Sequence, residues 1–180
     1  YFADRAHQRI KKVTPDGVVT TIAGNGNWDF ADGYGTGARF RQPSGISIDS
    51  DDNLYVADQE NNRIRKIELT VDGRYKVSTL AGDGEYGSVN GVGSQAQFKR
   101  PELTLVNNGV LYVYVRDESK IKKIDLNPQI IIPAGQLTAS FNISGIDDIS
   151  YESTETISIT PSVVGGTLAS ADPLSLNLTS

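Results

Sequence analysis

The string "LYVADQENNRIRKI" at 54–67 has two further copies in the chain, "YFADRAHQRIKKV" at 1–13 and "LYVYVRDESKIKKI" at 111–124. Their aligned tyrosines, Tyr1, Tyr55 and Tyr112, lie 54 and 57 residues apart. A second string alternates with the first. "TIAGNGNWDFADGYGTGARFRQP" at 21–43 pairs with "TLAGDGEYGSVNGVGSQAQFKRP" at 79–101 at a constant offset of 58. Gly24 thus matches Gly82, Gly33 matches Gly91, Phe40 matches Phe98 and Pro43 matches Pro101. A repeat of this length is one structural unit that buries its apolar surface by stacking on the next.

The unit reads as β-structure. "GISIDS" at 45–50 and "NLYVAD" at 53–58 alternate apolar and polar residues, as half-buried strands do, and "SDDN" at 50–53 turns between them. "RIRKIE" at 63–68 is the next strand, with Ile64 and Ile67 as inward residues, and "KVSTLAG" at 76–82 is the last, ending in a Gly-rich loop. Four short antiparallel strands in about 55 residues make a propeller blade rather than a helical repeat. The 18 glycines and 38% apolar content agree with a β protein rich in turns.

Residues 21–67 resemble the NHL repeat, a blade type of β-propellers, through "T-x-A-G … D-G-x-G … A-x-F … P-x-G-I … N-L-Y-V-A-D … N-R-I-R-K". The resemblance extends over roughly 1–126. The third copy departs from it: Val115 replaces the Asp of "VAD", and one residue is lost after Pro101, so Gly45 has no counterpart. The resemblance implies a ring of about six blades, of which about two and a half are present. An open arc exposes strand edges. Further blades are therefore expected before Tyr1 in a longer parent protein, or from another chain or another copy of this one.

Composition changes near Asn127–Pro128. Residues 1–126 hold all 17 Lys and Arg against 17 Asp and Glu, while 127–180 hold five acids and no base, so the net charge of −5 belongs wholly to the last third. There "QIIIPAG", "LTASFNIS", "TETISIT" and "LSLNLTS" are strand candidates between Gly, Pro and Asp turns. Residues 132–160, "IPAGQLTASFNISGIDDISYESTETISIT", resemble the second half of a Calx-β domain, an immunoglobulin-like sandwich; its first half has no counterpart here. The expected fold class is all-β: a partial propeller at 1–126 followed by a partial immunoglobulin-like sandwich at 127–180.

Several chemistries are excluded by composition. There is no Cys, hence no disulfide, thiolate metal site or cysteine nucleophile. His7 is the single His, too few for a Ser–His–Asp triad or a multi-His metal centre beside other acid–base groups. No run of about 18 apolar residues exists to span a membrane. No leader is visible, but a chain opening inside a repeat reads as a fragment or processed product. "NIS" at 142–144 and "NLT" at 177–179 fit the N-glycosylation pattern, which matters only in a eukaryotic secretory host.

Candidate sites are four. The Calx-β resemblance implies Ca²⁺ ligands at Asp147, Asp148 and Glu152, an oxygen set suited to that ion; the alternative is that these acids solvate a turn. Asp58 with Arg63, and Asp4 with Arg9, have the spacing of cross-strand pairs across the hairpin, broken in the third copy by Val115 and Lys120. The residues Arg9, Lys11, Lys12, Arg63, Arg65, Lys66, Lys120, Lys122 and Lys123 fall on equivalent strands. They read as a solvated outer band rather than a nucleic-acid surface, because 1–126 is neutral. The Gly-rich loops carry Trp28, Phe30, Tyr34 and Tyr86, either to engage a protein or glycan or to fold over the blade edge. They are not phosphate loops, since no Lys-Ser/Thr follows them.

The expected function is a non-enzymatic binding or adhesion module of a larger secreted or cell-surface protein of bacterial type, its propeller loops facing a protein or glycan and its sandwich a spacer stiffened by Ca²⁺. Two alternatives stand: a structural subunit of an extracellular filament, and a propeller lyase or hydrolase with its active residues in missing blades.

Overall fold

Alternating apolar residues and short polar turns build eleven strands and no α-helix over residues 1–126, the residues that the computed structural model describes. The first sheet is β1 (Phe2–Asp4), β2 (Arg9–Val13) and β3 (Val19–Ala23). The central sheet comprises β4 (Gly33–Tyr34), β5 (Pro43–Ile48), β6 (Leu54–Asp58), β7 (Arg63–Leu69) and β8 (Tyr75–Ala81), in the spatial order β4-β8-β7-β6-β5. The third is β9 (Pro101–Asn107), β10 (Val110–Val115) and β11 (Lys120–Asp125). All pairings within the sheets are antiparallel. The central sheet is the four-stranded blade expected from the sequence, with one addition. Gly33 and Tyr34, from the Gly-rich loop, pair with Val77 and Lys76 and cover the outer edge of β8.

Two apolar layers hold successive blades together. Between the first and second lie Ile10, Phe40, Leu54, Val56, Ile67 and Val77. Between the second and third lie Tyr55, Ile64, Phe98, Leu111, Val113 and Val115. Ile64 and Ile67 are three apart on one strand and point to opposite faces. Both are buried because the central blade is covered on both sides. Among the described residues nothing comparable covers the far face of blade three: Ile121, the counterpart of the fully buried Ile64, is 70% exposed. Leu103, Leu105 and Tyr112 share that open face, since Tyr112 lies opposite Leu105 and Tyr114 lies opposite both Leu103 and Ile121.

The Gly-rich loops return their "A-x-F" residues into these layers. Ala38 and Phe40 enter the first, Ala96 and Phe98 the second. Each buried Phe is worth about 1.5–3 kcal/mol. The loops begin at Gly24 and Gly82, with φ of +89° and +104°. A Cβ there would stand 2.4 Å from the Gln8 carbonyl oxygen and 2.5 Å from that of Asn62, so both conformation and space require glycine.

Strand irregularities repeat with the blades. The β2–β3 register shifts between Ile10 and Lys11, and the β7–β8 register between Ile64 and Arg65, at equivalent positions. Such bulges bend a strand and re-aim its side chains. The second of them directly precedes Arg65, which organises the loop of its own blade.

Candidate binding face

Antiparallel connectivity sends the hairpin corners at 5–8, 59–62 and 116–119 and the Gly-rich loops at 24–42 and 82–100 to the same end of the blades. The corners hold the loops through backbone. The Glu60 N–H donates to the Arg41 carbonyl at 3.0 Å, and the Arg116 N–H to the Arg100 carbonyl at 3.1 Å.

Each corner ends on a non-glycine residue in the left-handed region, Gln8, Asn62 and Ser119 (φ 53°, 51° and 50°). This turns two of their amide side chains toward the following blade. The Gln42 N–H donates to Gln8 Oε1 at 2.6 Å, and the Arg100 N–H to Asn62 Oδ1 at 3.2 Å. Gln42 and Arg100 are themselves left-handed, at φ 52° and 57°. These links are a repeated latch between blades. Asn suits such a conformation, but nothing in the sequence marks Gln8 for it.

A buried ion pair anchors the first loop. Arg65 Nη1 donates to Asp58 Oδ2 at 2.7 Å, both side chains fully buried. Asp58 also accepts from Asn61 Nδ2 at 2.9 Å and from the Arg41 N–H at 2.8 Å. Arg65 reaches both arms of the loop: the Arg39 carbonyl at 3.0 Å, the Ala31 carbonyl at 2.7 Å and the Asp32 carboxylate at 2.6 Å. Burial pushes the Asp58 carboxyl up, with the Arg65 charge and the three donors acting against that push. Lys122 holds the second loop in the same way, donating to the Gln97 carbonyl at 2.9 Å and pairing with Glu118 at 3.3 Å.

The cross-strand pairs expected from spacing are therefore corrected. Arg63 lies opposite Asp58 in register, yet it donates to the Asp83 carbonyl at 2.5 Å and the Asn61 carbonyl at 3.1 Å, with its guanidinium 3.9 Å from the Phe30 ring centre. Arg9 likewise donates to the Asn25 carbonyl at 3.3 Å. Asp4 pairs with Lys11 at 2.7 Å and contacts His7 at 2.8 Å. The Lys11 and His7 hydrogen bonds hold the Asp4 carboxyl down at about 2. The outer basic band is corrected at three of its nine positions. Arg65 is wholly buried and Lys11 and Lys122 are mostly so, each engaged inside its own blade.

The four aromatic candidates separate into two kinds. Phe30 lies beneath Arg63 and Arg65, and Tyr34 belongs to β4 with Arg74 4.2 Å from its ring centre. Trp28 and Tyr86 are counterparts, 58 residues apart. Their backbones bridge to Phe40 and Phe98, the buried residues of "A-x-F". The two residues are 53% and 56% exposed, each with one cation 5.6 Å from its ring centre: Arg41 for Trp28, Lys99 for Tyr86. The Tyr86 hydroxyl donates to Asp117 at 3.0 Å, which pushes its pKa up. Among the described residues no group of three or more His, Cys, Asp or Glu is placed to hold a metal, and Asp147, Asp148 and Glu152 lie outside those residues. No helix among them is long and apolar enough to cross a membrane.

The described residues are β-propeller blades, and a family model described as the NHL repeat matches residues 40–67, the heart of the central blade. NHL repeat-containing protein 2 of Homo sapiens is 40% identical over 86 residues, which are 48% of this chain and 11% of that protein. The chain spans about a tenth of the length of the curated relatives it matches first, 9% and 11%. A crystal structure of a Bacteroides thetaiotaomicron protein of unknown function is similar with a TM-score of 0.61 at 28% identity, covering 67% of this chain and 30% of that one. The crystal structure of an auxiliary nutrient binding protein from Bacteroides ovatus has the same fold (TM-score 0.54, 24% identity), covering 66% of this chain and 32% of that one.

Proposed function

We propose that this chain is part of a non-enzymatic binding module of a larger secreted or cell-surface protein, with its loop face engaging a protein or glycan. One observation carries the reading. Trp28 and Tyr86 hold the same place on successive blades, fixed by backbone bridges to buried phenylalanines, yet each residue is more than half exposed. Rings that served only packing would be covered, as Phe40 and Phe98 are. The propeller named an auxiliary nutrient binding protein agrees with a binding role for such a scaffold. The segment resembling Calx-β is assigned the part of a spacer, stiffened by Ca²⁺ at Asp147, Asp148 and Glu152; calorimetry with Ca²⁺ tests it, and absence of heat at about millimolar Ca²⁺ removes the site.

The test of the loop face is a comparison of the parent chain with a Trp28→Ala, Tyr86→Ala double variant on glycan and extracellular-protein arrays. The double variant is expected to fold and to lose the parent's specific signals. Unchanged signals would remove the loop face from the function.

A further inference from the structure

We infer that the ligand of the loop face is an acidic sugar, an oligosaccharide carrying carboxylates at intervals. This rests on the reading of that face given above and names its chemistry. The exposed ring of Trp28 or Tyr86 offers a π-face to the C–H face of a pyranose, whose hydrogens carry the complementary partial charge. Beside each ring stands a cation without a carboxylate partner among the described residues, Arg41 or Lys99. Among the described residues, Arg5 at the hairpin corners bonds only the neutral amides of Gln42 and Gln59, and the exposed Arg116 has no ion pair.

The acids of the same face are mostly engaged. Asp29 pairs with Arg39, Glu60 and Asp117 with Arg100, Asp32 and Asp58 with Arg65, and Glu118 with Lys122. Asp83, whose carboxylate takes the Gln97 amide, and the exposed Glu85 are the exceptions. The surplus of free charge over the face is therefore positive, Arg5, Arg41, Lys99 and Arg116 against Asp83 and Glu85. Yet residues 1–126 are neutral, 17 bases against 17 acids. Such a surface lacks the long-range pull that a polyphosphate backbone requires, and it suits a ligand whose charges are isolated.

The geometry also ranks the two places. The Arg41 backbone is fixed by its N–H bond to Asp58, while its guanidinium is free to take a carboxylate through two parallel hydrogen bonds. Lys99 offers a point charge instead. The Trp28–Arg41 place is thus the stronger, and Tyr86–Lys99 lies one blade along for a longer ligand to reach.

The experiment is calorimetric titration of the full chain with uronate tetrasaccharides (galacturonate, glucuronate and mannuronate) and with their methyl esters, alongside the fluorescence of Trp28, the single tryptophan. At least one acid form is expected to bind with a saturable fluorescence change. Its methyl ester and the Arg41→Gln variant are each expected to bind about tenfold more weakly, and Lys99→Gln to lose less. Equal binding of acid and ester, or an Arg41→Gln variant without effect, overturns the acidic class and leaves the loop face standing. Equal binding by the Trp28→Ala, Tyr86→Ala variant overturns both. Failure of all the acids overturns the sugar assignment, and the array comparison then decides the loop face separately.

Discussion

Asp58 and Arg65 meet at 2.7 Å in a site closed to solvent, although the residue facing Asp58 across the hairpin is Arg63. Arg63 and Arg65 share a face of β7, so register alone does not choose between them. Burial does. The Arg65 side chain is enclosed with the carboxylate, whereas Arg63 reaches outward to the Asp83 carbonyl and the Phe30 ring. The pair joins the strand hairpin to the loop that carries Trp28.

Removing one partner leaves the other buried and uncompensated, a loss of about 3–5 kcal/mol. Arg65→Met is expected to lower stability by this much in denaturant unfolding. Arg63→Met, which removes contacts at a part-exposed site, is expected to cost about 1 kcal/mol. The double change Asp58→Leu with Arg65→Met is expected to recover much of the loss. Equal destabilisation by the two single Arg variants would show that the buried pair is not the anchor.

Gly45 lets two blades approach. A Cβ at this position would stand 2.6 Å from the Glu102 carbonyl oxygen and 2.6 Å from Leu103 Cα, both backbone atoms of β9. Gly45→Ala is therefore expected to lower stability by about 1–3 kcal/mol by forcing β5 and β9 apart. Gly37→Ala has no atom within 4 Å of the added carbon. It is expected to be neutral or to stabilise by about 0.4–1 kcal/mol through the unfolded chain. Thermal unfolding of the two variants side by side distinguishes them, and a harmless Gly45→Ala would refute the close approach.

The blade latches are measurable one amide at a time. Asn62→Ala takes the acceptor from the Arg100 N–H and also places Ala at φ 51°. A cost of about 1–2 kcal/mol is expected. Hydrogen exchange is expected to quicken at Arg100 while the Gln42 amide, held by Gln8, keeps its protection. Exchange that quickens at both or at neither would contradict independent latches.

Acid weakens the first hairpin through Asp4. Its carboxyl is held at about 2 in the fold, below the unfolded value of about 3.9. A folded value depressed in this way adds stability that is complete above the unfolded value and fades as pH falls through the folded one. Unfolding midpoints of the parent and of Asp4→Asn are expected to differ most from about pH 5 upward and to converge toward about pH 2. A difference independent of pH would remove the Lys11 and His7 contacts as its cause.

Much of the fold was legible because its period is written twice, once in the two-residue alternation of the strands and once in the 58-residue offset of the loops. Strands β5 to β8 fall where alternation places them, and the "A-x-F" phenylalanines are the core residues their repetition implies. Strand β4 was not legible, since Gly33 and Tyr34 become a strand only by lying along the edge of β8. Of the candidate site, the loop aromatics could be named but not sorted. That Arg63 and Arg65 stack on Phe30, 37% exposed, while Trp28 has Arg41 alone, depends on where those side chains pass, which strand spacing does not determine. Lys11, Arg65 and Lys122 were misplaced for a related reason: alternation separates two faces, and in stacked blades both faces can be interior.

Tyr55 and Tyr112, like Ile64 and Ile121, are the same residue in the same place on consecutive blades, and they differ in having or lacking a neighbour among the described residues. Such a chain behaves as a one-dimensional array, in which each unit draws its stability from coupling to the units on either side. The central blade has two couplings, and blade three has one within the described residues. Within residues 1–126 the central blade, which carries the pinned Trp28 loop, is then the unit coupled on both sides and the last to open.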